Sequence, residues 1–183
     1  MSHLVTHEKP KFDREKLMNA ALRALGMRAH STGELRAKLR RRGSEEDVEA
    51  VMASLKEAGY LNDRQFAENY AATRLQSSLG KIRVIRDLRQ RRVAPKLAEQ
   101  AAEQVYSSTS ESELIDEFLR RKYRGKELRP YLADEKHLAA AYRRLRYAGF
   151  SAGASIAALN RHASATEKLD LLESEPDPEG PEE

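Results

Sequence analysis

STGELRAKLRRRG, residues 31–43, opens with a helix start and closes with a helix stop. Ser31 followed by Glu34 is a capping box, in which each side chain satisfies a backbone N–H of the other. Leu35 and Leu39 then fall one turn apart on one face, arginines fill Arg40–Arg42, and Gly43 ends the pattern. The same order returns in GKIRVIRDLRQRRV (80–93), with Val84 and Leu88, and in HLAAAYRRLRYAGF (137–150), with Ala141 and Leu145. Leu39 and Leu88 are 49 residues apart, and Leu88 and Leu145 are 57 apart. A period of this size indicates repeats, each a supersecondary unit stacked on its neighbours. Function is then expected on a surface the units share.

Working outward from these stretches, start and stop signals predict nine helices. They cover 12–25, 32–42, 45–58, 63–77, 81–91, 95–106, 111–124, 135–148 and 152–163. Ser110 with Glu113 repeats the capping-box spacing, and so does Asn62 with Gln65. Ser44 precedes Glu45, Glu46 and Asp47, which complement the positive end of a helix. Pro95 suits a first helical position. Gly26, Gly43, Gly59, Gly125 and Gly149 stand where helices should end. Strand signals are weak, since β-branched residues are sparse and do not alternate. The expected fold is all-α, an elongated array of three tandem three-helix repeats. The repeats span 12–58, 59–109 and 110–163, the last with an inserted connection at 124–136. A flexible tail, 1–11, precedes them, and an acidic tail, 164–183, expected to be disordered, follows.

Each repeat is expected to hold one helix with a bulky apolar stripe, one rich in arginine and one that closes the unit. Val48, Val51, Met52 and Leu55 make one face; Phe66 with Tyr70, and Leu114 with Phe118, stack one turn apart. All are expected in cores. Hydrophobic content of 40% with 6% aromatic suits several small cores better than one large one.

The absence of cysteine excludes disulfides and thiolate-bound metals. No apolar run spans a bilayer and the amino terminus has no apolar leader, so a soluble cytoplasmic protein is expected. The formal charge of +4 understates the basic character of the body. Residues 173–183 carry six acids and no base; the rest has 33 bases against 23 acids, a balance of +10. That balance suits a polyanionic partner.

Catalytic constellations are missing. His3 and His7 have the spacing of a helical metal pair but no third ligand. Gly80-Lys81 lacks the preceding glycine of a phosphate loop, and no serine sits in a nucleophile elbow. Pairs such as Glu34 and Lys38 are explained by helix stabilisation. Neither an enzyme nor a cofactor is expected.

At 100° per residue, Arg40 and Arg41 point away from Leu35 and Leu39, with Arg36 on the flank. Arg83 and Arg86 lie opposite Val84, Ile85 and Leu88. Lys136, Arg143 and Arg144 lie opposite Leu138, Tyr142 and Leu145. These eight residues form the candidate binding stripe, suited to a phosphate backbone or an acidic protein groove.

The chain resembles the RecX regulators of bacterial recombination. The resemblance rests on STGELRAKLRRRG (31–43), EAGYLNDRQFAENYAATR (57–74), GKIRVIRDLRQRRV (80–93) and GFSAGASIAAL (149–159). Gly59, Tyr60, Leu61, Asp63, Phe66, Ala67, Tyr70 and Arg74 all match the family's pattern. Asn62 and Asp87 stand where the family usually has Asp and Glu, Arg92 replaces its usual glycine before Val93, and Gln76–Leu79 replaces a glycine-rich approach to Gly80. The resemblance implies a monomer that lies in the groove of the RecA filament on single-stranded DNA. It further implies inhibition of strand exchange, ATP hydrolysis and coprotease activity, with weak binding to single-stranded DNA alone. Two other readings stay open: a helix-turn-helix DNA-binding protein and a neutral helical scaffold. Few Asn or Gln residues are placed to read adenine edges, which weighs against the first.

Overall fold

A computed structural model describes residues 12–162, and the fold among them is all helical. The helices are α1 Arg14–Met27, α2 Thr32–Arg40, α3 Glu45–Glu57, α4 Asp63–Gln76, α5 Lys81–Gln90, α6 Pro95–Tyr106, α7 Glu111–Lys122, α8 Leu128–Leu132, α9 Glu135–Ala148 and α10 Ala152–His162. Among the described residues the only β pairing is an isolated bridge between Phe12 and Gly43. The two tails, with His3, His7 and the acidic run 173–183, lie outside the described residues.

The capping signals act as the residue types predict. Ser31 Oγ accepts from Glu34 N–H at 3.0 Å while the Glu34 carboxylate accepts from Ser31 N–H at 3.3 Å. Ser44, Asn62 and Ser110 accept from the N–H three residues on, at 3.1, 3.0 and 3.4 Å. Pro95 is the first residue of α6. Gly59 and Gly149 take left-handed φ angles of 77° and 91°, which a side chain would oppose.

The described residues form ten helices where nine are expected. The extra one, α8, sits in the inserted connection and holds Pro130. Proline is tolerated there because the first four N–H groups of a helix have no partner inside it. Leu132 at its end is fully buried, and that anchor holds the short helix down.

The described chain divides into two compact units. One comprises the residues up to Phe66 together with Arg91–Val93; the other comprises Ala67–Gln90 and the residues from Ala94 onward. In the first, Leu17, Ala21 and Ala24 of α1 meet Leu35 and Leu39 of α2 and Val48, Val51, Met52 and Leu55 of α3. A Cβ at Gly43 would overlap Leu17, so that glycine is needed for the close passage of the chain beside α1. The turn Arg91–Val93 fastens to the start of α2: Ser31 Oγ donates to the Arg91 carbonyl, and Arg91 pairs with Glu34 at 3.1 Å.

In the second unit the core is built from Leu114, Ile115 and Leu119 of α7, Leu138, Tyr142 and Leu145 of α9, and Phe150, Ala158 and Leu159 beyond. Phe118 meets Phe150 edge-on at 5.7 Å. Val84 and Leu88 of α5 are fully buried, as are Ala98 and Ala102 of α6, whose small side chains let it pack closely on α5. The N-terminus of α5 rests on the C-terminus of α9. Gly80 N–H donates to the Ala148 carbonyl at 2.8 Å, and Ile82 N–H to the Gly149 carbonyl at 3.2 Å.

Candidate functional site

At the end of α2, the three candidate arginines have different surroundings. Arg36 is half-buried and forks onto Glu49 of α3, with donor distances of 2.8 and 3.2 Å. Arg40 is exposed and reaches Glu45 and, at 3.4 Å, Glu49. Arg41 caps α2, is exposed, and has no ion pair among the described residues. Exposed pairs of this kind contribute ~0–1 kcal/mol, so Arg40 can exchange Glu45 for another anion at little cost.

On α9, Lys136 and Arg143 are exposed, while Arg144, also exposed, donates to the Tyr123 hydroxyl at 2.9 Å. On α5 the expected outward placement is corrected. Arg83 and Arg86 are half-buried, because both lie against Tyr147 of α9. The Arg83 guanidinium stands 4.4 Å from the centre of the Tyr147 ring and donates to the Tyr147 carbonyl at 3.2 Å. Arg86 reaches the same carbonyl at 3.5 Å. A carbonyl at the end of α9 carries partial negative charge that a guanidinium satisfies.

Tyr147 is therefore a residue that sequence reasoning passed over. It is 39% exposed, lies one helical turn beyond Arg143, and collects Arg83 and Arg86 around it. Arginine around an exposed ring is the composition of a nucleic-acid surface as well as of a structural contact. The signal was its spacing from Arg143, hidden because Tyr142 and Leu145 account for the apolar face of α9.

Electrostatics in the first unit centre on Glu34. Burial pushes its carboxyl up, but the Arg28 hydrogen bonds, the Ser31 N–H and the Arg91 charge outweigh it and hold the group below the usual carboxylate range. His30 is buried, and that desolvation pushes its pKa down. No cluster of three metal-ligating side chains is present among the described residues.

Comparison with known proteins fits this arrangement of helices. The family model for the second three-helix domain of RecX matches residues 62–101, and that for the first matches 18–55. The regulatory protein RecX of Vibrio parahaemolyticus is 33% identical over 134 residues, which cover 72% of this chain and 82% of that protein. The chain belongs to the RecX family. The RecX of Halorhodospira halophila is 38% identical over 90 residues, covering 49% of this chain; the chain spans 56% of that relative and 54% of the RecX of Cronobacter sakazakii. A crystal structure of RecX from Lactobacillus salivarius superposes with a TM-score of 0.62 at 22% identity, over 87% of this chain and 97% of that one.

The RecX motif 57–74 has a structural task at most of its positions. Asp63 accepts from Thr32 N–H at 2.7 Å, Leu61 and Ala67 are buried, and Tyr70 donates to Asp87 at 3.1 Å. The Arg74 guanidinium lies 4.7 Å from the Tyr70 ring centre. Tyr60 is the exception, with 58% of its surface exposed. Arg92 has a left-handed φ of 59°.

Proposed function

We propose that this chain binds the filament that a RecA recombinase forms on single-stranded DNA, and holds back its strand exchange, ATP hydrolysis and coprotease activity without catalysis of its own. It would act in the cytoplasm, as a monomer, through three repeats bounded at 12–58, 59–109 and 110–163. The observation that carries the reading is the exposed arginine at corresponding helices, Arg40 and Arg41 on α2 and Arg143 and Arg144 on α9, in a chain of the RecX family. Relatives named as regulatory proteins support a regulator. Lys136 extends the α9 group, while Arg36 is held by Glu49 within the first unit and Arg83 and Arg86 by Tyr147 within the second.

Co-sedimentation tests this reading. The chain should pellet with preformed RecA filaments far more than with bare single-stranded or duplex DNA, and should slow strand exchange at the same concentrations. Binding to duplex DNA in preference to filaments would favour the helix-turn-helix reading instead.

A further inference from the structure

The last turn of α7 and the residues after it read RRKYRGK from 120 to 126, five bases in seven residues. Two compensating charges lie close by. One is Glu117, whose single carboxylate serves Arg120 and, at 2.5 Å, Arg121. The other is the C-terminal end of the helix, worth about half an elementary charge. Glu117, Arg120, Arg121 and Arg124 line an open concavity of about 360 Å³. Three guanidiniums thus face roughly one and a half negative charges. Arg124 is exposed and has no ion pair among the described residues. Arg121 also donates to the Gln76 carbonyl at 3.0 Å, which fixes the wall of the concavity. Stabilising the helix end explains one or two bases here; it leaves the rest of the charge unexplained.

A flat surface adjoins this charge. Tyr123, which caps α7, meets Tyr131 at 5.3 Å between ring centres. His137 stacks on Tyr131 at 4.1 Å and 11°, and the Lys126 ammonium stands 4.0 Å from the same centre. The His137 side chain keeps 47% of its surface exposed. The exposed ring is a stacking platform in the segment that directly follows the residues of the cationic hollow, the combination that single-stranded nucleic acid uses.

We propose that Arg120, Arg121 and Arg124 hold backbone phosphates of single-stranded nucleic acid, with a base stacked on His137. An acidic peptide would use the guanidiniums but not the platform, and a duplex keeps its bases stacked inside. The site requires no recombinase, so it stands or falls apart from the filament reading.

The test uses the full chain and an oligothymidylate of about 20 nucleotides, longer than the ~4–16 nucleotides of a typical site. In fluorescence anisotropy, Arg120→Gln with Arg124→Gln should weaken binding about tenfold at low salt. It should also reduce the slope of log affinity against log salt by about 1.4, since each lost single-strand phosphate contributes ~0.7. His137→Ala should weaken binding by a further factor of about five. Unchanged affinity and slope in a folded double variant overturn the proposal. Equal loss on polyglutamate overturns the assignment to nucleic acid. If circular dichroism shows the double variant unfolded, Arg124→Gln alone takes its place, with an expected slope reduction of about 0.7, because its side chain has no ion pair among the described residues; an unchanged affinity and slope overturn the proposal in the same way.

Discussion

Gly80 and Gly149 meet backbone against backbone, 69 positions apart in the chain. A Cβ on Gly80 would overlap the Gly149 carbonyl, and a Cβ on Gly149 would overlap the backbone nitrogen and Cβ of Arg83. Each glycine opens one of the motifs by which the chain resembles its family, GKIRVIRDLRQRRV and GFSAGASIAAL. The contact also sets Arg83 and Arg86 against Tyr147.

Gly149→Ala should therefore destabilise the second unit by about 3 kcal/mol. The estimate combines ~1–2 kcal/mol for a side chain in the left-handed region with ~1–3 kcal/mol for overpacking against backbone, which cannot yield. Chemical denaturation measures the loss, and hydrogen exchange should place it in α5 and α9. Gly153→Ala is the control. A Cβ there meets nothing within 4 Å, and alanine favours helix, so its effect should be neutral or slightly stabilising. Equal losses in both variants would remove the close-approach argument.

Arg92 occupies a left-handed turn with φ 59°, a conformation that favours glycine. Arg92→Gly should stabilise the protein by about 1 kcal/mol, since an L side chain costs ~1–2 kcal/mol in this region and glycine almost none, less the added freedom of the unfolded chain. For a chain of this size that is a rise of about 2–4 °C in Tm. Beneath the turn, a Cβ on Gly33 would overlap the Arg92 carbonyl oxygen, so Gly33→Ala should destabilise in either background. A thermal scan that puts Arg92→Gly below the parent would contradict the strain.

Local features were legible in the sequence and distant ones were not. Ser31 with Glu34, Asn62 with Gln65 and Pro95 act within one helical turn, so residue type and spacing alone locate them. The buried stripe Leu35, Leu39, Val84 and Leu88 follows from helical period. Period says only that Arg83 and Arg86 point away from that stripe; it does not say that Tyr147 stands there to receive them. The segment 124–136 read only as an inserted connection because the burial of Leu132, which holds α8 in place, depends on tertiary packing.

Acid should weaken the first unit through Glu34. Its carboxyl is held below the ordinary value of 4.5 in the folded state. A depressed folded pKa gives stability that is present above 4.5 and lost as pH falls through the folded value. Glu34→Gln keeps the shape but removes the titration, so its stability should be lower at pH 7 and flatter with pH in that acid window. The comparison is urea denaturation of both proteins from neutral to acid pH. Parallel profiles would mean that Arg28 and Arg91 contribute nothing to the charged form.

The arginine stripe should divide into two classes under mutation. Arg40→Ala with Arg41→Ala, and Arg143→Ala with Arg144→Ala, remove exposed charges and leave helix-favouring residues, so stability should change by under ~1 kcal/mol per pair. Filament binding should weaken modestly for either pair and roughly multiplicatively for both, because linked contacts raise one another's effective concentration. Arg83→Ala with Arg86→Ala should behave differently. It removes a guanidinium at 4.4 Å from the Tyr147 ring and two donors to the Tyr147 carbonyl. Charged hydrogen bonds and cation–π contacts each contribute ~1 kcal/mol or more when partly buried, so this pair should cost about 2 kcal/mol of stability as well as affinity. Denaturation midpoints and filament co-sedimentation, read side by side, separate the classes. If all three pairs leave inhibition of strand exchange at the parent concentration, the stripe is a solvated face and recognition lies elsewhere. If the α5 pair lowers affinity without touching stability, Arg83 and Arg86 leave Tyr147 to meet the partner directly.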